Sequence, residues 1–168
     1  EALTDTIWAR LALGRGAPAT PGEAPLDLRL QEATTILGGD GRDWAAHEAP
    51  IAAARLANPD DPTLTIAAAF QLFAPIILKL TDEPLTAEYL APLAEEAERL
   101  VLSVLPQARR DPILAIGAAN ALFYADRGGV DLAEELAREA FAKSAAFAAA
   151  YQIMARLHAR RGELDEAI

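Results

Sequence analysis

The sequence contains two histidines, His47 and His158, as its possible imidazole ligands or general bases. They are 111 positions apart, and neither lies one helical turn from a second histidine, the spacing that metal sites on helices use. The carboxylate beside His47, on Glu48, is typical of an ordinary acidic neighbour. Because cysteine is absent, disulfides, thiolate catalysis and cysteine-ligated zinc are excluded as well. We expect His158 to pack within or between helices, and we predict no metal site.

The serine and glycine patterns do not predict catalysis or nucleotide binding. Ser103 and Ser144 lie in no nucleophile-elbow or Ser-x-x-Lys context. The glycine-rich run at 38–41 lacks the lysine and the serine or threonine that hold nucleotide phosphates and magnesium. This run therefore indicates a helix end followed by a turn.

Three glutamates, Glu95, Glu96 and Glu98, precede Arg99. This pattern is typical of the solvated face of a helix, with Glu95 and Arg99 spaced as an i,i+4 ion pair. Catalysis by paired carboxylates requires two acids that face each other across a cleft, and nothing in the sequence predicts that arrangement. We therefore predict that the chain is not an enzyme and that it uses no cofactor.

Arginines cluster near the end of the sequence, at Arg156, Arg160 and Arg161. Arg160 and Arg161 are expected in the last turn of a helix, where cations interact favourably with the partial negative charge of the C-terminus. A second interpretation, recognition of a partner, depends on which helix face carries these side chains. The arginines must therefore be judged together with the fold.

Composition predicts an all-α fold. The chain has 168 residues, enough for one domain with a real core, and 52% of them are hydrophobic. Alanine and leucine dominate this fraction while aromatic residues make up 6%, which favours helices packed on helices over sheets. Asp-Pro pairs at 61–62 and 111–112 predict two helix starts. Aspartate caps free backbone N–H groups, and proline in the first turn has no N–H to lose.

Apolar periodicity and chain breakers predict nine helices. These are Leu3–Leu13, Leu26–Leu37, Trp44–Ala57, Thr63–Leu80, Ala87–Leu105, Pro112–Asp126, Val130–Lys143, Ala145–Arg161 and one that begins at Leu164. Pro50, Pro75 and Pro92 fall inside these spans and are expected to kink or split them, because each removes a backbone hydrogen bond. The segment Gly14–Pro25 indicates a loop. Gly162 is expected to end its helix in a left-handed conformation.

An offset of 34 residues relates the last two stretches of the sequence. The matched pairs are Ala121 with Ala155, Tyr124 with His158, Gly128 with Gly162, Val130 with Leu164 and Ala133 with Ala167. A period of 34 residues with one helix–turn–helix per unit is that of tetratricopeptide repeats. The run from Arg161 to Ile168 closely resembles the turn and second-helix start of that family. The family pattern also falls on Tyr151, Met154 and Ala155, whereas Gly117 and Asn120 of the preceding unit stand where the family prefers large residues.

The resemblance covers Asp111–Ile168 and extends loosely over Ala49–Arg110, as degenerate repeats. It is not found in Glu1–Glu48, where we expect divergent helices. It implies antiparallel helix hairpins stacked as an α–α superhelix within one domain. The sequence also stops in what is predicted to be a helix, so we expect a fragment of a longer chain. An all-α bundle without true repeats is the alternative.

The resemblance also implies a concave groove lined by the first helix of each hairpin. The residues expected to face it, and to bind a partner, are Leu122, Asp126, Gln152, Arg156 and Arg160. A groove with two arginines is suited to an acidic peptide or a C-terminal carboxylate. The carboxylate clamp of the family requires asparagine and lysine where Leu122 and Gln152 stand, so we do not predict a chaperone-tail clamp.

The formal net charge of −10 limits the classes of partner. Residues Glu1–Gln107 carry 16 acidic and 7 basic side chains, and such a surface repels phosphates, so no nucleic-acid contact is predicted. The longest apolar stretch, Ile66–Leu78, is shorter than the roughly 20 residues of a membrane span. Together with the absence of cysteine, this predicts a cytoplasmic chain that contacts no membrane.

The function predicted from these features is non-catalytic protein–protein interaction through a tetratricopeptide-like concave surface. The alternative is a sensory or regulatory region of a larger bacterial protein, such as a transcription regulator. In that case a small ligand, held for instance among Phe70, Phe73 and Tyr89, or self-association into a homo-oligomer, would change the output of another domain.

Overall fold

The computed structural model describes residues 52–77, 84–125, 130–143 and 148–163. In these ranges all regular secondary structure is helical, as composition predicted. Residues 52–57 are helical, and seven helices follow. They are α1 (Pro62–Gln71), α2 (Ala74–Ile77), α3 (Ala87–Ser103), α4 (Leu105–Ala108), α5 (Pro112–Ala125), α6 (Val130–Lys143) and α7 (Ala148–Arg161). The predicted helices Leu3–Leu13 and Leu26–Leu37, the loop Gly14–Pro25 and the helix from Leu164 lie outside the described residues.

Both Asp-Pro helix starts are confirmed. Asp61 caps α1, since its Oδ1 accepts a hydrogen bond of 2.9 Å from the backbone N–H of Leu64. Asp111 caps α5 in the same way, with its Oδ1 2.8 Å from the backbone N of Ile113. Pro62 occupies the first turn, where its missing N–H costs no hydrogen bond. Although Asp61 is fully buried, its carboxylate is thereby supplied with a backbone donor.

The helix predicted over Thr63–Leu80 is split, not merely kinked. α1 ends at Gln71, and the N–H of Phe73 turns back to the carbonyl of Phe70 at 3.1 Å. α2 begins at Ala74, so Pro75 lies in the first turn of a new helix, where proline is tolerated. Pro75 therefore marks a helix start.

The predicted helix Ala87–Leu105 also ends early, at Ser103, and α4 follows after Val104. Val104 has φ −119° and ψ 13°, outside the helical region, and Pro106 lies in the first turn of α4. Pro92, by contrast, lies inside α3 without ending it. Of the prolines in this region, only the one outside the predicted interior coincides with a break.

The central helix is α5, which contacts α1, α3, α4, α6 and α7. Eleven of its fourteen residues are buried, and they lie on all sides of the helix. Many of them are alanines, whose small side chains let neighbouring helices approach closely. The core of the described chain is therefore built around α5. None of the described helices is both long and apolar enough to cross a membrane.

The end of α7 is closed as predicted by Gly162, which has φ +78°. The N–H of Gly162 donates to the carbonyl of Ala159 at 3.1 Å, and the N–H of Glu163 donates to that of His158 at 3.0 Å. This pair of bonds is a Schellman motif, which satisfies carbonyls that the helix leaves free. The side chains of α7 are therefore presented on a helix with a fixed end.

Candidate partner-binding surface

The last described helix, α7, buries one face and exposes the other. Ile153 and Leu157 are 0% and 1% exposed and anchor the helix on the core. Gln152, Arg156 and Arg160 follow one another at intervals of four and are all exposed. Residues four apart lie on one helix face, so these three side chains form a continuous polar strip.

Arg156 lies beside the end of α5. Its Nη1 donates a hydrogen bond of 3.3 Å to the hydroxyl oxygen of Tyr124, which is a neutral acceptor. The ring of Tyr124 is held by three others, with centroids 5.4 Å away for Phe123 and 6.1 Å away for Phe70 and Phe73. The guanidinium of Arg156 is therefore held by a fixed neutral group and keeps an exposed positive charge.

Arg160 reaches the same part of α5. Its Nη1 donates to the backbone carbonyl of Phe123 at 2.8 Å, and its guanidinium carbon lies 4.1 Å from the centroid of the Phe123 ring. Phe123 belongs to the last turn of α5, whose carbonyls have no partner inside the helix. Arg160 was predicted to act on its own helix end; it also caps the preceding helix, aided by a cation–π contact.

Arg161 has a different, structural environment. Its Nη2 lies 2.9 Å from Oδ1 of Asp131, and its guanidinium also bonds to Glu134. Glu134 is only 12% exposed and accepts a second bond from Arg138, at 2.8 Å. The hydrogen bond from Arg138 and the positive charge of Arg161 lower the pKa of the Glu134 carboxyl, against the opposing effect of burial. Arg161 thus ties α7 to α6.

The remaining residues predicted to face the groove are placed differently. Gln152 is exposed on α7, in line with Arg156. Leu122 is 1% exposed and belongs to the core, so it does not present a surface to a partner. The physical reason is that α5 is enclosed by other helices, and the family-based position did not account for them. Asp126 lies outside the described residues.

Sequence reasoning missed Phe123 and Tyr124 as members of this surface. Both are half-buried and both contact an arginine of α7. The 34-residue offset had singled out Tyr124 only as the counterpart of His158. The contact with Arg156 bridges 32 positions, and it follows from the packing of α7 on α5, which local sequence does not encode.

A second cluster of charges joins α4 and α5 to α6. Nη1 of Arg109 lies 3.0 Å from Oε1 of Glu135 and also bonds to Glu139, while Lys143 donates to the backbone carbonyl of Arg109. The hydrogen bond from Arg109 lowers the pKa of the Glu135 carboxyl, and the same bond raises the pKa of the guanidinium. This cluster connects helix ends and is structural.

The residues weighed for catalysis have structural environments. His158 is half-buried, and its Nδ1 lies 2.7 Å from Oε2 of Glu163 across the end of α7. The Ser103 hydroxyl donates to the carbonyl of Leu100 at 2.7 Å, and Ser144 lies outside the described residues. Arg99 donates two bonds to Glu96, three positions away, where the prediction had paired it with Glu95. Within the part of the chain that the structure describes, no cluster of three or more histidines and carboxylates is arranged to hold a metal ion.

The aromatic residues proposed to line a ligand pocket are used in packing. Phe73 is 2% exposed, and its ring stacks on Tyr124, with which Phe70 makes an edge contact. Tyr89 is half-buried in the first turn of α3, where its N–H donates to the capping hydroxyl of Thr86 at 3.2 Å. Phe70 and Phe73 thus serve to fix Tyr124, and through it the position of Arg156.

Comparison with known proteins adds no functional assignment. No family model, no curated protein and no solved structure matches this chain. The surface at the junction of α5 and α7 is therefore interpreted from its own residues.

Proposed function

We propose that this chain is a non-catalytic protein-interaction module, and that the junction of α5 and α7 binds an acidic segment of a partner protein. We call this junction the α5–α7 seam; it comprises Phe123, Tyr124, Gln152, Arg156 and Arg160. The observation that carries the proposal is the environment of Arg156. Its guanidinium is exposed on a well-anchored helix, and the hydrogen bond that fixes it goes to a neutral hydroxyl.

The proposed architecture is a stack of tetratricopeptide-like hairpins, and contacts between helix ends support it. Arg109, just before α5, bonds to Glu139 near the end of α6, which fits opposite directions for these two helices. Arg161 at the end of α7 bonds to Asp131 at the start of α6, which fits opposite directions again. The bond from Arg160 to Phe123 joins the ends of α5 and α7 and supports a shared direction.

The charge distribution supports an acidic partner. The chain as a whole has a formal charge of −10, yet α7 carries three arginines and no acidic residue. Arg161 is engaged by Asp131 and Glu134, so Arg156 and Arg160 contribute most of the positive potential of the seam. An acidic surface with one basic strip favours a protein with carboxylates over a nucleic acid or an anionic membrane. We place the module in the cytoplasm, where a chain without cysteine is chemically suited.

Fluorescence anisotropy with labelled acidic, neutral and basic peptides tests this function directly. We expect the acidic peptide to bind and the affinity to fall at least about tenfold in Arg156→Glu, since a charge reversal replaces attraction with repulsion. The Arg156→Glu/Arg160→Glu variant should lose binding altogether. A matched control is Arg99→Glu/Arg138→Glu, which reverses two exposed arginines on α3 and α6 and should bind like the original protein.

Two outcomes would contradict the proposal. Equal loss of binding in the control variant would show that only net charge matters and that the seam is not the binding surface. Failure of the unmodified protein to bind any acidic peptide would reject the module and favour the regulatory hypothesis. Circular dichroism of each variant distinguishes lost binding from lost folding, because Arg160 also caps α5.

A further inference from the structure

Positions 34 residues apart in α5 and α7 have different surroundings. Ala118 and Leu122 on α5 are 0% and 1% exposed, whereas their counterparts Gln152 and Arg156 on α7 are exposed. α5 is enclosed because α1 and α3 pack on it in addition to α6 and α7. Among the helices that the structure describes, α7 packs chiefly on α6 and α5. The face of α7 that corresponds to a covered face of α5 is therefore open.

The element that packs on α5 ahead of its own hairpin is a helix. α1 has ten residues, and a run of small residues, Ala67–Ala69, lets it lie close to its neighbours. Its last turn contacts the seam, since the ring centroid of Phe70 lies 6.1 Å from that of Tyr124. The repeat thus offers its own example of what such a face accepts, which is a short helix with small residues in the contact.

We infer that the α5–α7 seam binds an acidic helix of a partner protein, lying on α7 as α1 lies on α5. This inference rests on the proposed function and specifies the shape of its partner. The partner helix would carry carboxylates four residues apart, because Arg156 and Arg160 have that same spacing and project from one helix face. Small residues between the carboxylates would meet Ala159, which is exposed between the two arginines.

Backbone hydrogen bonding favours a helix over an extended segment. The N–H and C=O groups of α7 are paired within its own helix, so they offer no ladder to an incoming strand. A helix satisfies its own backbone groups and needs only side-chain contacts. Bidentate bonds from two guanidinium groups to two carboxylates would then fix the register of the partner.

Designed peptides test this inference independently of the natural partner. The probe is an alanine-based peptide of about 16 residues, a length at which such a helix is stable, with glutamate at every fourth position. One matched control has the same sequence with a central alanine changed to proline, which breaks the helix. The other has the same composition with its glutamates in one consecutive block. We expect the first peptide to bind roughly tenfold more tightly than either control.

Charge exchange provides the specificity test. The peptide with lysine in place of glutamate should bind Arg156→Glu/Arg160→Glu and not the original protein, since the electrostatic match is restored. Arg156→Gln, which removes the charge without reversing it, should weaken the glutamate peptide and leave the helicity of the protein unchanged. It keeps the inference testable if the double reversal unfolds the chain.

Three results would overturn the inference. Equal affinity for the proline-containing peptide would show an extended ligand, with the acidic-partner function still standing. Absence of binding by every acidic peptide would remove both. A concentration-dependent dimer in size-exclusion chromatography that Arg156→Gln abolishes would show that a second copy of this chain covers the seam.

Discussion

Helices α5 and α7 occupy corresponding places in a 34-residue repeat, and yet they do different work. α5 is apolar on all sides and contacts five other helices, whereas α7 anchors one face and presents arginines on the other. The positions of Leu122 and Arg156 show the contrast directly, because the same place in the repeat is buried in one helix and exposed in the other. A repeat period therefore predicts the backbone element, while the number of neighbouring helices determines what its side chains do.

Truncation of the two corresponding side chains should give the largest contrast. Leu122→Ala leaves a cavity in the core and should lower the free energy of unfolding by about 3 kcal/mol. Arg156→Ala should change it by less than about 0.5 kcal/mol, since the side chain is exposed. Urea denaturation followed by circular dichroism measures both. Similar losses for the two variants would show that α7 is as enclosed as α5.

Removal of the cap of α5 should have a smaller effect. In Asp111→Ala the backbone N–H of Ile113 loses the carboxylate that accepts its hydrogen bond at 2.8 Å, which should cost about 1 kcal/mol. Asp111→Asn keeps an acceptor oxygen and should retain most of that stability. Thermal unfolding of the pair tests whether the helix start predicted from the sequence stabilises the central helix.

The ion pairs between α6 and α7 should make stability depend on pH. The pKa of Glu134 is lowered in the folded chain, so its ion pairs stabilise the fold above the unfolded value of 4.5. This contribution is lost as pH falls through the lowered value. At pH 7 Glu134→Gln should be less stable than the original chain by about 1 kcal/mol, and the difference should vanish by about pH 3. A constant difference across this range would refute the role of the charge.

Neutralisation of Arg156 should have the smallest effect on stability and a clear effect on binding. Arg156→Gln should leave the unfolding free energy within about 0.5 kcal/mol of the original value while it weakens the acidic peptide. Denaturation and anisotropy on one preparation compare the two quantities. Parallel losses in both would place Arg156 among the structural residues, with Arg161.

Local signals in the sequence predicted helix starts and one helix end correctly. Asp61, Asp111 and Gly162 act on backbone groups within a few positions, so their roles can be seen in the order of residues. Pro75 was misjudged because a proline in the first turn of a new helix looks, in a long apolar run, like one inside a continuous helix. The break at Val104 had no comparable signal beyond Pro106.

The surface was predicted less completely because it depends on contacts between distant residues. The exposed positions of Gln152, Arg156 and Arg160 followed from helical spacing together with the family resemblance. The burial of Leu122 depends on how many helices surround α5, and the role of Tyr124 depends on α1 and α7 reaching it from opposite ends of the sequence. Neither property is encoded in a local pattern.

Most of the buried hydrophobic residues that the structure describes are alanines, including Ala115, Ala118 and Ala119 at the centre of α5. An alanine has no side-chain rotamers to lose, so this core forms without the ordering entropy that a core of leucines must overcome. The helices are instead held at a separation set by their methyl groups. A single added methylene at Ala119 has no free rotamer in which to escape, and it would have to move two helix axes apart.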